Sequence, residues 1–185
     1  YAFGYEDDYY VAMSSMVFEL PDGGYDNVTT YNGGTLPENV EAARLSDYWS
    51  DPRDLVGNSL DNVLMGRLNP VHIVNGQGRI VDRDRLDGGA GADTLIGYSG
   101  VTFVIDNPGD IIVFRTNASG RNTSVEASVD HRLVSGIQDL VLTGTAPITG
   151  IGNELSNTLD GTWNSASNLL VGGGGNDKYI LGAGD

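Results

Sequence analysis

The sequence predicts an all-β chain, a parallel β-roll or β-helix solenoid of two tandem repeat units. Three observations predict this fold class. Short apolar runs alternate with clusters of Gly, Asn and Asp, 27 of the 185 residues are Gly, and one nonapeptide pattern occurs twice. Short strands bounded by turn residues and repeated along the chain are typical of solenoids, in which each repeat buries its apolar face against the next.

The nonapeptide has the pattern G-G-x-G-x-D-x-U-x, where U is a large apolar residue, and it spans residues 88–96 and 172–180. Glycines that adopt positive φ form a tight turn with inward carbonyl groups, and a carboxylate closes that turn. Oxygen atoms of these two kinds are the ligands that Ca²⁺ prefers. The pattern therefore predicts two calcium-binding turns, each followed by a strand. Their candidate ligands are Gly88, Gly89, Gly91 and Asp93 in the first turn, and Gly172, Gly173, Gly175 and Asp177 in the second.

Weaker copies of the turn occur elsewhere in the chain. The position of the acidic residue is held by Asp84 in one copy and by Asn62, Asn157 and Asn168 in three others. An asparagine offers a carbonyl oxygen without a charge, so a metal site there is weaker or absent, and the side-chain amides are expected to form a ladder instead. The well-formed turns predict about two to four calcium ions. Further candidate ligands are Asp82, Asp87, Asp160 and Asp185.

A longer period divides the chain into two units, residues 1–97 and residues 98–185. Residues 57–66 align with residues 152–161 at an offset of 95, and residues 36–45 align with residues 133–142 at an offset of 97. The units open with apolar strands at 9–11 and 102–104, and the first has an enlarged loop from Arg67 to Arg85. Residues 3–11 have the same phase as residues 172–180, so further units are expected beyond one or both ends.

Strand geometry predicts how such units stack. A strand rises about 3.3 Å per residue, so two nonapeptides form one coil, and turns on one edge stack about 4.8 Å apart. A calcium ion between stacked turns takes carbonyl and carboxylate oxygens from both. Without the ion these oxygens repel one another, so folding is expected to depend on calcium.

Composition excludes several classes of function. The net charge of −15 opposes binding to nucleic acid and to anionic membrane surfaces. The chain has no Cys and no apolar run of 18 residues, which excludes a disulfide framework and predicts no membrane span. Calcium turns of low affinity fill only at about 10⁻⁴ to 10⁻³ M calcium, the extracellular range. The sequence therefore predicts a secreted, extracellular or cell-surface protein.

Catalysis is not predicted. His72 and His131 are the only histidines, and no H-E-x-x-H, G-x-S-x-G or P-loop pattern occurs. The acidic pairs at residues 7–8 and at Asp82 and Asp84 have the residue type that glycosidases use. Calcium binding or a solvated face explains these pairs better, because carboxylates are plentiful in this chain. We therefore expect a protein that is not an enzyme.

The two nonapeptides, the G-N-x-L-x-N-x-L steps and the run from Ile137 to Ala146 resemble the RTX, or haemolysin-type, calcium-binding repeat proteins of bacteria. The resemblance covers nearly the whole chain. It implies export by a one-step secretion machine, folding outside the cell on contact with calcium, and a role in toxins, adhesins, surface layers or the tails of secreted hydrolases.

Three functions remain open from the sequence. The first is a calcium-binding structural segment of a surface protein, an adhesin, surface layer or filament, with self-association or contact with neighbouring repeats. The second is the calcium-binding accessory module of a secreted enzyme. The third is a carbohydrate-binding or protein-binding module for a cell-surface partner, in which the enlarged loop and the Tyr-rich first unit form the binding face.

Overall fold

A computed structural model describes residues 17–21, 23–47, 53–67, 84–116 and 122–185, together with the backbone of residues 9–12. Several sequence predictions fall outside these residues. They include the phase of residues 3–8, the candidate ligand Asp82, His72 and nearly all of the enlarged loop.

The described residues form β-strands and no helix. Most strands are short and are bounded by Gly, Asn or Asp, as expected for residues that favour turns over ladders. The strands are β1 Tyr9–Ala12, β2 Asn27–Thr30, β3 Gly34–Thr35, β4 Ala42–Leu45, β5 Asp54–Val56, β6 Val63–Met65, β7 Arg85–Asp87, β8 Thr94–Tyr98, β9 Thr102–Ile105, β10 Ile111–Arg115, β11 Ser124–Ala127, β12 His131–Arg132, β13 Asp139–Gly144, β14 Thr149–Ile151, β15 Thr158–Asn164, β16 Leu169–Val171 and β17 Lys178–Ile180.

The strands form three sheets, and every described strand pair is parallel. One sheet has the order β1-β2-β4-β6-β8-β10, a second has the order β17-β15-β13-β11-β9-β7-β5-β3, and a third has the order β12-β14-β16. From β3 onward, each described strand therefore lies in a different sheet from the described strand that precedes it. The prediction of an all-β chain with parallel strands is confirmed.

The core is built from rows of equivalent apolar residues. In the eight-stranded sheet, parallel register aligns the central residues of successive strands. This row consists of Leu55, Leu86, Phe103, Val125, Leu140 and Leu159, each at most 1% exposed. The six-stranded sheet contributes Val28, Ala43, Leu64 and Leu95. Both rows belong to one hydrophobic cluster, so the sheets share a core.

Strands of the first half have counterparts nine strands later. The offset is 97 residues from β2 to β11, from β3 to β12 and from β4 to β13, it is 95 from β5 to β14 and from β6 to β15, and it is 84 from β7 to β16 and from β8 to β17. These are the offsets at which the sequence repeats. β8 ends at Tyr98, one residue beyond the predicted boundary between the units.

Because nine is an odd number, corresponding strands lie in different sheets. β2, β4, β6 and β8 belong to the six-stranded sheet, whereas β11, β13, β15 and β17 belong to the eight-stranded sheet. The turn at 88–93 therefore leads out of the eight-stranded sheet, whereas its counterpart at 172–177 leads into that sheet. The first consensus turn thus follows a strand of the eight-stranded sheet, and the second precedes one.

Candidate metal sites

Two glycines in each consensus turn adopt the positive φ that the pattern predicts, whereas Gly88 and Gly172 do not. The turn at 88–93 connects β7 to β8 and has φ of 78° at Gly89 and 123° at Gly91. The turn at 172–177 connects β16 to β17 and has φ of 93° at Gly173 and 85° at Gly175. Side chains with a Cβ rarely adopt these angles, so glycine is required there.

Asp93 has a fully buried carboxylate, and only one of its two oxygens accepts a hydrogen bond. Its side chain is 0% exposed, and Oδ1 accepts a hydrogen bond of 2.7 Å from the backbone N–H of Asn62. Oδ2 is buried and has no hydrogen-bond partner. A Cβ at residue 88 would overlap Oδ2, so the glycine there makes space for the carboxylate. A buried carboxylate oxygen without a donor is costly unless it is protonated or lies beside a cation.

Burial raises the pKa of Asp93 from 3.8 to about 6. The hydrogen bond from Asn62 opposes this shift, and the nearby charges of Asp110, Asp106 and Asp61 add to it. The electrostatic environment of Asp93 is therefore negative, and it favours either protonation or a bound cation.

Asp177 repeats this arrangement in the second consensus turn. Its Oδ1 accepts a hydrogen bond of 3.0 Å from the backbone N–H of Asn157, and a Cβ at residue 172 would overlap its Oδ2. The side chain is half-buried rather than buried. The backbone N–H of Gly172 donates to the hydroxyl of Tyr179 at 2.8 Å. The second turn thus has the same cradle but is more open to solvent.

Asn62 and Asn157 are satisfied by the protein. The Oδ1 of Asn62 accepts from the backbone N–H of Asn58, and its Nδ2 donates to the carbonyls of Val40 and Glu41 in the preceding turn. The same set of bonds is found 95 residues later, from Asn153 to Asn157 and from Asn157 to residues 137 and 138. Both amides bond to backbone groups rather than to other side-chain amides. At these two turns the amide nitrogen therefore donates to carbonyl oxygens that a cation would otherwise be expected to bind.

Asn168 and Asp185 form a further pair in the last described turn. Asp185 Oδ1 accepts from the backbone N–H and the Nδ2 of Asn168, at 3.0 and 2.7 Å, and its Oδ2 accepts from the backbone N–H of Gly182 at 2.8 Å. The Gly182 and Asn168 hydrogen bonds lower the pKa of Asp185. Both oxygens of this exposed carboxylate therefore have protein donors.

Asp84 has a protein cation as its partner. The guanidinium of Arg67 donates to both carboxylate oxygens, from Nε to Oδ2 at 2.8 Å and from Nη2 to Oδ1 at 2.6 Å. The two side chains are 3% and 1% exposed. Oδ1 also accepts from the backbone N–H of Arg53, just before the paired strand β5, as Asp93 does from Asn62. Arg67 thus neutralises the charge that calcium was predicted to neutralise at this turn. The other two candidates, Asp87 and Asp160, have nearby donors in Arg85, Gly89 and Thr162.

Sequence reasoning missed the turn at 106–110, which has the sequence D-N-P-G-D. Asp110 Oδ1 accepts from the backbone N–H of Asp93 at 3.0 Å, and its Oδ2 accepts from those of Asp106 and Asn107 at 3.2 and 3.0 Å. A Cβ at Gly109 would lie 2.7 Å from the Cβ of Ala92, so this turn packs directly on the turn at 88–93. The signal in the sequence is an Asp immediately before the apolar strand β10.

A calcium ion here would rely strongly on backbone oxygens. Within the described ranges, no three His, Asp or Glu side chains converge as a metal-binding group. The residues of the turn at 88–93 nevertheless fit a calcium ion, because a buried carboxylate oxygen lacks a donor and two glycines of the turn have the positive φ of a tight turn. Calcium takes six to eight oxygen ligands, including backbone carbonyls and water.

Neither a model of a known protein family, nor a curated protein, nor a solved structure matches this chain. The resemblance of its turns to calcium-binding repeats therefore stays a prediction from the residues. No helix long and apolar enough to cross a membrane is present in the part of the chain that the structure describes.

Proposed function

We propose that this chain is a calcium-binding structural segment of an extracellular bacterial surface protein, built as an RTX-type β-roll of two tandem units. The observation that carries the proposal is the carboxylate of Asp93. It is fully buried, one of its oxygens has no donor, and it lies over a glycine that leaves room for it. A structure that keeps such a group charged needs a cation beside it.

The strand order supports the roll. Successive strands alternate between sheets, all described pairs are parallel, and the two apolar rows share one hydrophobic cluster. A chain that crosses repeatedly between two facing sheets winds as a flattened coil, with one strand of each sheet per turn. The crossings then stack in columns, which places the turn at 57–62 directly before the turn at 88–93.

Calcium would act as a folding cofactor. The ion would be held by Asp93 and carbonyl groups of the turn at 88–93, and in the second unit by Asp177 and the turn at 172–177. Its charge offsets the mutual repulsion of oxygens that the fold brings together. Because only the folded chain presents these oxygens together, calcium stabilises it by RT ln(1 + [Ca²⁺]/Kd), about 2.7 kcal/mol at a hundred times Kd.

A structural role outside the cell follows from the composition and the surface. A net charge of −15 keeps the chain soluble and favours divalent cations, and extracellular calcium is abundant enough to fill weak sites. The exposed large apolar side chains include Phe18 and Tyr25 near the first strands, and Leu169, Val171, Tyr179 and Leu181 near the last. Such a distribution favours stacking against further coils.

The test is a calcium titration of the chain followed by far-ultraviolet circular dichroism, from chelator to about 10 mM calcium, with magnesium as the control. We expect strand signal or thermal stability to rise with calcium and not with magnesium. Asp93→Ala and Asp177→Ala should each weaken the response. Asp54→Ala, which removes an exposed carboxylate on β5 outside any turn, should leave it unchanged. Full strand content in chelator with no calcium effect on stability would refute the proposal.

A further inference from the structure

The outer surface of the eight-stranded sheet has a polar groove that crosses the strands β9, β11, β13 and β15. Each of these strands contributes one residue to the buried core row, so the residues on either side of it point outward. The groove has a volume of about 370 Å³. Its lining includes the hydroxyl groups of Thr102, Ser124 and Thr158 and the carboxylates of Glu126, Asp139 and Asp160.

Two of these carboxylates keep an oxygen that the protein does not use. Asp139 accepts from Nδ2 of Asn122 through Oδ2, at 3.3 Å. Asp160 accepts the backbone N–H and the hydroxyl of Thr162 through Oδ1, at 2.9 and 2.6 Å. Among the described residues, no donor reaches the other oxygen of either carboxylate, and neither of these oxygens is buried. A ligand with hydroxyl groups would form strong hydrogen bonds to such charged acceptors.

The hydroxyl groups of the groove stand in one row. Parallel register aligns Thr102 with Ser124, and their hydroxyls are hydrogen-bonded to each other at 2.9 Å. The row continues through Asp139 to Thr158. Because a hydroxyl both donates and accepts, this row suits a ligand whose own groups do the same.

Trp163 adds an aromatic surface to the same side of the sheet. It lies on β15 and, at 73%, is the most exposed large apolar side chain in the described ranges. After the pairing of Asp160 with Val141, β15 has one residue more than β13. This bulge reverses the alternation of side chains, so Asn164 is buried and Trp163 points outward. Trp163 is three residues beyond Asp160, about 10 Å along the strand.

We propose that this face binds a neutral, hydroxyl-rich glycan, with Trp163 stacked on a sugar ring and with Asp139 and Asp160 accepting hydrogen bonds from sugar hydroxyls. Sugar hydroxyls both donate and accept, as the row of the groove does, whereas the ammonium groups of a cationic peptide only donate. The groove's carboxylates and the net charge of −15 repel acidic glycans.

The dimensions of the groove suit a short oligosaccharide. Four strands about 4.8 Å apart span about 14 Å, which is room for a few sugar units. The groove and Trp163 lie in the second unit, whereas the sequence places a carbohydrate-binding face in the Tyr-rich first unit. The inference adds a ligand to the proposed structural role, and it does not depend on which turns hold calcium.

The test is an array of neutral, acidic and amino-sugar oligosaccharides, probed with the whole chain in about 10 mM calcium. The neutral oligosaccharide that binds most strongly is then titrated by isothermal titration calorimetry. Trp163→Ala and Asp139→Asn probe the groove. Their matched controls are Tyr25→Ala, which removes an exposed aromatic side chain of the first unit, and Asp54→Asn, which changes an exposed carboxylate on β5 of the same sheet. Circular dichroism checks that each variant is folded.

We expect binding to neutral oligosaccharides only. Trp163→Ala should weaken it about tenfold or more, and Asp139→Asn about fivefold, whereas each control should change it less than about twofold. Tryptophan fluorescence gives a second measurement. The emission should shift when the oligosaccharide binds, and the shift should be lost in Trp163→Ala, which keeps Trp49 as the other tryptophan of the chain.

The inference is overturned if no neutral oligosaccharide binds, or if only acidic or amino-sugar members of the array bind. It is also overturned if Tyr25→Ala weakens binding as much as Trp163→Ala does, because the glycan would then lie on the first unit. The calcium response of the parent protein is a separate measurement. The glycan site and the proposed function can therefore fail independently.

Discussion

Replacing Asp93 with asparagine should stabilise the protein without calcium and destabilise it with calcium. In chelator the substitution removes a buried charge, whereas in calcium it removes a ligand. The opposite signs come from one side chain, because the buried oxygen that has no donor within the protein is the oxygen proposed to bind the ion.

The magnitude follows from the pKa of Asp93. A rise from 3.8 to about 6 corresponds to a penalty of about 3 kcal/mol for the charged form in the folded state. Asparagine keeps an oxygen for the N–H of Asn62, and burying its amide nitrogen beside Gly88 costs about 1 kcal/mol. The net gain in chelator at pH 7.5 is therefore about 2 kcal/mol.

The pH dependence gives an internal control. A raised carboxylate pKa means that the folded state holds the proton more tightly than the unfolded state. The penalty is therefore complete above about pH 6, declines as the pH falls toward 3.8, and is lost below that value. The stabilising effect of Asp93→Asn should be lost at about pH 3, below both pKa values, where the side chain is largely neutral in both states.

The assay is a sucrose titration in chelator, monitored by circular dichroism at pH 7.5 and at about pH 3. The osmolyte drives folding, so the free energy of folding is measurable even for a chain that is largely unfolded without calcium. The reasoning is refuted if Asp93→Asn is less stable than the parent protein in chelator at pH 7.5, or if the difference is the same at both pH values.

Three further substitutions test other features of the structure. Arg67→Ala should lower the free energy of unfolding, measured in urea, by about 3–5 kcal/mol, because it leaves the buried carboxylate of Asp84 without its cation. If the loss comes from the unpaired charge rather than from lost packing, the double variant Arg67→Ala, Asp84→Asn should regain stability. Asn62→Asp should lower stability in chelator by about 1–3 kcal/mol, since a carboxylate cannot donate to the two carbonyls that the amide bonds, and an unchanged urea midpoint would contradict this. Phe103→Ala should cost about 3–5 kcal/mol, and a loss below 1 kcal/mol would show that the central row is not the core.

Local turn chemistry could be predicted from the sequence because it depends on neighbouring residues. The positive φ of Gly89 and Gly91 follows from the nonapeptide itself, and the short strand after it follows from the apolar residue Leu95. The offsets of 97, 95 and 84 residues were also visible, because each links two similar stretches. The predicted calcium ligands stay predictions, since they concern an ion rather than the fold.

Contacts between distant residues could not be predicted in the same way. Arg67 and Asp84 are 17 residues apart across the enlarged loop, and no pattern joins them. The turn at 106–110 lacks the glycine spacing, and its relation to Asp93 is visible only in the structure, where it stacks on Ala92 and Asp110 accepts the N–H of Asp93. The exchange of sheets between units was hidden because β3 and β12 have only two residues each, too few for a periodic signal. If one such strand is missed in the sequence, each later turn that leaves the eight-stranded sheet is taken for one that enters it, and the reverse.

Among the described strands, equivalent strands of the two units are nine apart, and this odd spacing sets the valence of each side of the proposed roll. In the proposed roll, the turn at 88–93 and its counterpart at 172–177 face in opposite directions. A flat surface or a rigid partner that approaches from one side therefore meets only one of the two. In a longer array of such units, equivalent features on the same side recur every second unit, or about every 43 Å along the axis for nine coils at 4.8 Å each. On either side of such an array, a partner that recognises one unit would find half as many binding sites as there are repeats. The two sides would offer equal numbers of sites.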